Sequence, residues 1–279
     1  MYKLLKNFTH KGTFNPDKWI ISEYPSTTSF LKRLERGKTT PTNQTSSNEG
    51  GYDFSQTNNM AEAMKILREG SPDILNGLKD ATKHAIADLK KELHTQPDTY
   101  ICDVEGLFFD VAKVIEGEPE CWYRESWDKA RKPRIYVPIN GTYNAGFDSK
   151  KAIKNASKVI ALVKALEDKG IEVELDMMFL SSGMTYDGKN GFSSIRVKGY
   201  DENFNYAKLS GMLHPAFFRR LNFRESELQA PDDLSGGYGG AMNFKDLFEE
   251  GRNMLSIADT DSIENFKKEA VQLLKGKTK

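Results

Sequence analysis

The clearest pattern of apolar and polar positions runs from residue 134 to residue 180 and predicts a strand, a helix and a second strand. Apolar side chains alternate with polar ones in RIYVPI (134–139) and again in IEVELDMMFL (171–180), as they do in strands. The helix covers about 150–168, and its apolar stripe consists of Ala152, Ile153, Ala156, Val159, Ile160, Val163 and Leu166. Because both connections are short, these elements form a right-handed βαβ unit with parallel strands.

Helical patterns flank this unit on both sides. Before it, apolar residues at the helical period predict one helix that ends at Gly70 and another from Ser71-Pro72-Asp73 to Leu93. A short helix is predicted around Leu107–Ile115. After the βαβ unit, FSSIRVKGY (192–200) predicts a third strand.

The last third of the chain is mainly helical in pattern. A helical stretch from Asn205 is broken at His214-Pro215, and two helices are predicted near 244–255 and from Thr260 or Asp261 to Leu274. The predicted fold class is therefore α/β, with a small parallel Rossmann-like sheet and helical elaborations at both ends.

Composition divides the chain into five segments. Residues 37–54 have almost no large apolar side chains, so they cannot bury enough surface to offset their ordering entropy. This composition predicts a flexible linker. The segments are a basic and aromatic N-terminal arm (1–36), this linker (37–54), a helical segment (55–100), an α/β core (101–235) and C-terminal helices (236–279).

Charge and composition narrow the function classes. Lys+Arg and Asp+Glu both number 40, so the formal net charge is zero and any affinity for nucleic acid must come from a local patch. The two cysteines are too few for a disulfide framework. No stretch approaches the ~18 apolar residues of a membrane span, and the N-terminus lacks the apolar core of a signal peptide. We expect a soluble, cytoplasmic protein that does not contact membranes.

Cations and aromatic rings occur together in two stretches, the N-terminal arm and residues 196–224. Single-stranded nucleic acid is held by this chemistry, with cations along the backbone and rings under the bases. The second stretch also contains Phe217, Phe218 and Phe223, which at this spacing could equally be core residues. The candidate nucleic-acid-binding residues are Arg196, Lys198, Tyr200, Lys208, Arg219, Arg220 and Arg224.

No catalytic motif stands out. His214 has no identifiable nucleophile or carboxylate partner, and the Gly-rich loop SGGYGGA lacks the Gly-Lys-Ser/Thr ending of a phosphate-binding loop. His214 with Arg219 and Arg220 could form an anion site, although an exposed face of a helix that starts at Pro215 explains them more simply. An enzyme would need acids gathered from separate segments, for example Asp103, Asp110, Asp148 and Asp176.

Residues 133–181 resemble a von Willebrand factor A domain, most closely in AIKNASKVIALVKALEDKGIEVEL. In that family the first strand ends in Asp-x-Ser-x-Ser, which supplies metal ligands. Here those positions fall on Asn140, Thr142 and Asn144, without a carboxylate. Divalent cations prefer charged oxygen ligands, so we expect no metal and no other cofactor.

Four segments resemble an uncharacterised family of bacteriophage proteins across about residues 54–228. They are FSQTNNMAEAMKILREGSPD, DVAKVIEGEPECW, INGTYNAGFDSKKAIKNASKVIALVKALEDKGIEVEL and KLSGMLHPAFFRRLNFRESE. In podoviruses that carry a virion RNA polymerase, the family includes an early transcription factor thought to bind single-stranded DNA and to bring a second phage RNA polymerase to promoters. The resemblance implies a non-enzymatic accessory protein in the host cytoplasm with those two partners, and it transfers no binding residues.

Two further hypotheses stay open at the level of sequence. The chain could be a non-enzymatic protein-interaction module that docks a partner through the degenerate metal face and the N-terminal arm. It could also be an unrecognised enzyme or nucleotide-binding protein built on the four acids named above.

Overall fold

A mixed α/β sheet organises the part of the chain that the structure, a computed structural model, describes. The described residues are 15–37, 52–78, 81, 100–103, 108–109, 113, 115, 122–125, 134–144, 146–168, 170–230, 232–235, 238–242, 255–256, 258–259, 261 and 263–268. The strands of the main sheet are β1 (Trp19–Tyr24), β5 (Arg134–Asn140), β6 (Glu172–Ser182), β7 (Asn190–Lys198), β8 (Gly240–Ala241) and β9 (Leu255–Ser256). Their order is β1-β7-β6-β5-β9, with β8 paired to the end of β6. The predicted α/β class is confirmed.

The predicted βαβ unit lies at the centre of this sheet. Strands β5 and β6 are parallel, with Ile135 opposite Val173 and Ile139 opposite Met177. Helix α5 (Ser149–Asp168) connects them and buries almost its whole length. Pro138 lies near the end of β5, and among the described residues β9 pairs with β5 only at the two positions that follow it, so within that part of the chain the missing donor falls where β5 has no second neighbour.

The sheet differs from the prediction in being mixed rather than all parallel. Strand β7 was predicted over 192–200 and occupies Asn190–Lys198, but it runs antiparallel to β6. The reason is the short loop 183–189, which is too short for a crossover and instead turns tightly through Gly183 and Gly188 at positive φ. Strand β1 then adds to β7 in parallel, with Trp19 opposite Asn190.

The second half of the N-terminal segment is part of this core. Helix α1 (Thr27–Arg36) follows β1 and buries Phe30 and Leu34. A buried carboxylate fastens the pair to the rest of the fold, because Glu225 accepts hydrogen bonds from Tyr24 and, at 3.2 Å, from the Ser22 hydroxyl. Burial and the neighbouring Glu225 carboxylate both raise the pKa of Tyr24, so its hydroxyl stays protonated and remains a donor.

Several of the other helices contact one another. These other helices are α2 (Tyr52–Ser55), α3 (Met60–Glu69), α4 (72–78), α6 (Tyr206–Met212), a π-helix (Phe217–Asn222), α7 (Phe223–Gln229) and α8 (263–268). Helix α3 ends at Gly70 as predicted and packs on α6 and the π-helix. Gly70 has φ +92°, and a Cβ there would lie 2.8 Å from the Ala207 Cα, so only glycine fits this crossing.

Two of the predicted helices overlap residues that form strands in the structure. A small antiparallel sheet consists of β2 (Tyr100–Asp103), β3 (Phe108–Phe109) and β4 (Trp122–Glu125), and β3 lies where the short helix around Leu107–Ile115 was predicted to begin. Leu255, at the end of the helix predicted near 244–255, lies in β9. Paired aromatic residues such as Phe108 and Phe109 favour strands. The prediction of a helix gave more weight to the helical spacing of the neighbouring apolar residues. Lys113 and Ile115, near the end of the first of these predicted helices, are helical. The linker predicted over 37–54 meets α2 at residues 52–54, where the chain is helical instead. The rest of both predicted helices, residues 38–51 of the linker and most of the helix to Leu93 lie outside the described residues.

The close crossing of α3 and α6 gives a stability prediction at Gly211. An added Cβ there would lie 2.6 Å from the Ile66 carbonyl oxygen and 2.8 Å from the Leu67 Cα, so Gly211→Ala forces two backbones apart. We expect the free energy of unfolding in urea to fall by about 1–3 kcal/mol. Gly146→Ala is the matched control, since a Cβ at Gly146 meets nothing within 4 Å. Equal stability of the two variants would contradict the described crossing.

Candidate functional site

Two of the seven candidate nucleic-acid-binding residues lie in the interior. The Arg220 side chain is 0 % exposed and donates hydrogen bonds to the Thr57 carbonyl at 2.7 Å and hydroxyl at 3.4 Å. Lys198 is 3 % exposed and donates to the Val173 carbonyl at 3.0 Å and pairs with Glu167 at 2.5 Å. Neither cation reaches solvent in this conformation, so neither is placed to touch a ligand.

The other five candidates are partly exposed but lie apart. Arg196 forms ion pairs with Asp176 and Glu174, and Lys208 pairs with Glu202 at 3.3 Å. The Tyr200 ring lies under the Arg134 guanidinium, 5.0 Å from centroid to Cζ. Arg224 donates to the Gly37 carbonyl at 3.2 Å and pairs with Glu227 at 3.3 Å. The stretch 196–224 therefore supplies no single cationic surface, because most of its charge is already paired with carboxylates.

Arg219 differs from the other partly exposed candidates because it lies beside a cavity. Its guanidinium lies over the Phe223 ring, 4.8 Å from the centroid, and Phe223 borders the cavity described below. The neighbouring rings of Phe217 and Phe218 are buried, as their alternative interpretation as core residues anticipated. The π-helix accounts for the difference between the two arginines, since its wider turn sends Arg220 inward while Arg219 stays half-buried.

His214 does not form an anion site with these arginines. It is buried, and its Nδ1 accepts the Ala216 N–H at 3.1 Å, which caps the turn into the helical stretch 215–229. Burial lowers its pKa from the ordinary 6.5 to about 4, so the imidazole is neutral at physiological pH. A neutral, buried imidazole does not attract an anion. The helical stretch does start at Pro215, as the alternative interpretation predicted, but its arginines do not lie on an exposed face, because Arg220 is buried and Arg219 is half-buried.

The degenerate metal turn uses its oxygens to hold the backbone. Asn140 Oδ1 accepts the Thr142 N–H at 2.9 Å, and Thr142 Oγ1 accepts the Leu180 N–H at 2.8 Å. Both side chains are buried, and their hydrogen bonds hold the end of β5 against β6 rather than bind a cation. Within the described ranges, no cluster of three or more His, Cys, Asp or Glu side chains is arranged to hold a metal ion.

Two of the four candidate catalytic acids have described side chains, and these do not converge. Asp176 is fully buried and accepts hydrogen bonds from Arg196 and, at 2.9 Å, from the Tyr136 hydroxyl. Asp148 is exposed, and its Oδ1 accepts the Lys150 N–H at 2.9 Å at the start of α5. Asp110 and the side chain of Asp103 lie outside the described residues.

A cavity of about 130 Å³ opens beside this turn, at the carboxyl ends of β5 and β6. We call it the edge cavity, and it is lined by Phe54, Thr142, Tyr143, Asn144, Ser181, Phe218, Asn222, Phe223, Ser226, Tyr238, Gly239, Gly240 and Ala241. Open α/β sheets bind ligands at this edge, beyond the carboxyl ends of their strands. The sequence indicated the edge but not the cavity, because its wall comes from α2, the π-helix and the loop after α7.

A chain of aromatic rings runs along the edge cavity. The Tyr143 centroid lies 5.3 Å from Phe54, 5.3 Å from Phe147 and 5.2 Å from Phe218. Phe218 continues to Phe223 at 5.3 Å. Lys151 Nζ lies 5.8 Å from the Phe147 centroid at one end, and Arg219 lies over Phe223 at the other. The rings thus connect two cations across the cavity wall.

The solvent-facing strip of the first half of α5 consists of lysines, of which Lys151 reaches Phe147 in the chain of rings. Lys150, Lys151, Lys154 and Lys158, which we call the lysine row, are the outward positions of the first half of a helix that is otherwise largely buried. No acidic side chain of the described residues forms an ion pair with them, whereas Lys164 in the second half pairs with Asp168. Sequence reasoning missed this row because it assigned α5 to the core alone.

The comparisons with known proteins give one match. A family model described as a domain of unknown function, DUF7192, matches residues 9–275. Neither the curated proteins nor the solved structures contain a match to the chain. Over the described part of the chain, no helix combines the length and apolar character needed to cross a membrane.

The buried His214 gives a pH prediction. In the unfolded chain the imidazole takes up a proton as the pH falls through about 6.5, but in the folded chain it stays neutral down to about 4. The stability that it contributes is therefore present above about pH 6.5 and is lost as the pH falls towards 4. We expect His214→Asn, which keeps an acceptor for the Ala216 N–H, to lose less stability on acidification. Urea unfolding at about pH 7.5 and about pH 5 should show a wild-type loss larger by about 2 kcal/mol. Equal losses in both proteins would show that the side chain is not held neutral.

Proposed function

Because the chain belongs to the DUF7192 family, whose description names no activity, we propose a function from the chain's own residues. The protein is a non-enzymatic factor that binds single-stranded DNA weakly, through the lysine row and the aromatic edge beside it. The surface differs from the stretch 196–224 that sequence reasoning favoured, and of that stretch only Arg219 contributes, through its contact with Phe223.

The observation that carries the proposal is the set of unpaired lysines at the start of α5. Cations near a helix N-terminus oppose the helix dipole, at a cost of roughly 0.3–1 kcal/mol each. Lys150 and Lys151 lie in the first turn, which itself contains no acid; the nearest, Asp148 directly before the helix, accepts the Lys150 N–H and forms no ion pair with either ammonium group. A ligand that carries a row of negative charges would compensate this arrangement.

The spacing of the lysine row suits a phosphate backbone. Lys150, Lys154 and Lys158 follow one another at intervals of four residues, so they lie on one face at a rise of about 6 Å per step. That step is close to the distance between successive phosphates of an extended single strand. Tyr52, an exposed ring, belongs to α2, which contacts α5, and Phe147 lies under Lys151. Rings next to a cationic track are the recurring design of single-strand binders.

Weak and salt-sensitive binding is the form that we expect. The formal net charge of the chain is zero, so no long-range attraction adds to the local patch. About four phosphate contacts would reduce affinity roughly 50-fold between about 50 and about 200 mM salt.

The resemblance to bacteriophage proteins adds a partner to this proposal. It supports a role as a phage accessory protein that brings a phage RNA polymerase to promoters while holding single-stranded DNA. The segments that carry the resemblance include the βαβ unit with the lysine row and the helical stretch with Arg219. Titration of an oligonucleotide in the presence and absence of the purified polymerase tests this part of the proposal, and we expect tighter binding in its presence.

We predict that Lys150→Gln, Lys154→Gln and Lys158→Gln, combined in one variant, weaken binding to a single-stranded oligodeoxynucleotide. The slope of log affinity against log salt should fall by about two units, since each lost phosphate contact removes about 0.7. Fluorescence anisotropy over a series of salt concentrations measures both effects.

The matched control changes three exposed lysines elsewhere, Lys18, Lys32 and Lys65, to glutamine. It alters the net charge by the same amount, and we expect the salt slope to stay unchanged. If both triple variants behave alike, the lysine row is not the binding surface. If the wild-type protein binds no oligonucleotide at low salt, the alternative of a protein-interaction module is favoured instead.

A further inference from the structure

We propose that Tyr52 is the residue on which a base of the bound strand stacks, next to the start of the lysine row. The ligand is the single strand of the proposed function, on which this inference rests. The lysines meet its charged phosphates, and Tyr52 meets the flat, uncharged part of a nucleotide.

The ring of Tyr52 has an open face. Tyr52 is 53 % exposed, and no ring or cation of the described residues stacks on it. The rings along the edge cavity differ, as Phe223 shows: the Arg219 guanidinium lies 4.8 Å from its centroid, and the Tyr238 ring stacks on it at 4.3 Å. A base stacks only on a face that is free, and Tyr52 offers one.

Helix α2 holds Tyr52 in place from its buried side. Phe54 packs edge-to-face on Tyr143 and on Phe218, with centroids 5.3 and 5.9 Å apart. Ser55, the last residue of α2, is fully buried. An exposed ring on a fixed element loses little conformational entropy when a ligand stacks on it, which favours binding.

The turn after α2 adds to this fixation. Gln56 has φ 56°, one of two positive values among the non-glycine residues described. Its side-chain amide donates to the Asp53 carbonyl at 2.7 Å, and its N–H donates to the Tyr52 carbonyl at 2.6 Å. A conformation of this kind persists where the surrounding structure fixes it, so the fold sets the position of Tyr52.

Hydrogen bonds of one side chain join α2 to the start of α5. The Ser149 hydroxyl lies 3.0 Å from the Asp53 carbonyl oxygen and 2.6 Å from that of Phe54. Tyr52 precedes Asp53 in the chain, and Lys150 follows Ser149. The exposed ring and the first ammonium group of the lysine row therefore belong to residues next to the two ends of one hydrogen bond.

Charge at this junction favours a neutral group at Tyr52. Asp53 and Asp148 are exposed acids on its two sides, one in α2 and one directly before α5. They repel phosphate, so the backbone of a strand would follow the lysines of α5 rather than cross α2. A base carries no formal charge, and stacking tolerates any sequence because every base has a π-face.

Two substitutions at Tyr52 separate stacking from other roles of the residue. We expect Tyr52→Ala to weaken binding of a single-stranded oligodeoxynucleotide of about 12 nucleotides at least about five-fold, the lower end of what one stacked base contributes. Tyr52→Phe keeps the ring and should keep the affinity. Neither change touches the lysine row, so the slope of log affinity against log salt should stay the same. A loss in Tyr52→Phe as large as that in Tyr52→Ala would contradict stacking.

Tyr186→Ala is the matched control. Tyr186 is 68 % exposed and lies in the loop 183–189, where its N–H donates to the Asp233 carbonyl at 2.8 Å. It is an exposed ring outside α2 and α5, and we expect its removal to leave oligonucleotide binding unchanged. Equal losses in Tyr186→Ala and Tyr52→Ala would overturn the assignment of the stacking role to Tyr52.

An abasic strand of the same length distinguishes contacts to bases from contacts to the backbone. Wild-type protein should bind the base-bearing strand more than about five-fold tighter than the abasic strand, and Tyr52→Ala should lose most of that preference. If wild-type protein binds both strands equally, the stacking role is wrong and the lysine row remains the binding surface. If it binds neither strand at low salt, the proposed function fails and the stacking role fails with it.

Discussion

The burial of α5 against β5 and β6 is the interaction on which the rest of the structure depends. Val159, Ile160 and Val163 belong to the same buried core as Val137 and Val173, and the crossover through α5 makes β5 and β6 parallel neighbours. Parallel neighbours end at the same edge of the sheet, and α5 begins there. The edge cavity and the start of the lysine row therefore lie at the same edge of the sheet as a geometric consequence of one crossover connection.

The sequence carried enough information for this central unit because its signal is local. The alternation in 134–139 and 171–180 and the helical stripe of α5 arise from contacts that every βαβ unit makes. The direction of β7 was not predicted, since it depends on a short loop and on β1, which pairs with it from the other end of the chain. The small sheet of β2 to β4 was missed for a related reason, because strands of two to four residues leave too few positions for a period to show.

The site was harder to predict than the fold because its residues are identified by their partners. Arg219 and Arg220 are adjacent and chemically identical, yet one lies over Phe223 and the other is buried against Thr57. The π-helix causes this difference in burial, and no residue pattern in the sequence predicts a π-helix. Lys198 and Arg196 look like exposed cations of a strand, but Glu167, Glu174 and Asp176 already neutralise them. Composition counts cations, whereas binding depends on those that the fold leaves unpaired.

The lysine row is the feature of this edge that folding alone explains least. Lys150 and Lys151 lie in the first turn of α5, where cations oppose the helix dipole, and Asp148 before the helix accepts the Lys150 N–H without forming an ion pair with either ammonium group. By contrast, Arg196, Lys198 and Lys208 each have a carboxylate partner. An acid at either first-turn position would stabilise the helix at little expense, so the packing of α5 does not account for the lysines there. A ligand with a negatively charged backbone, as proposed above, would account for them.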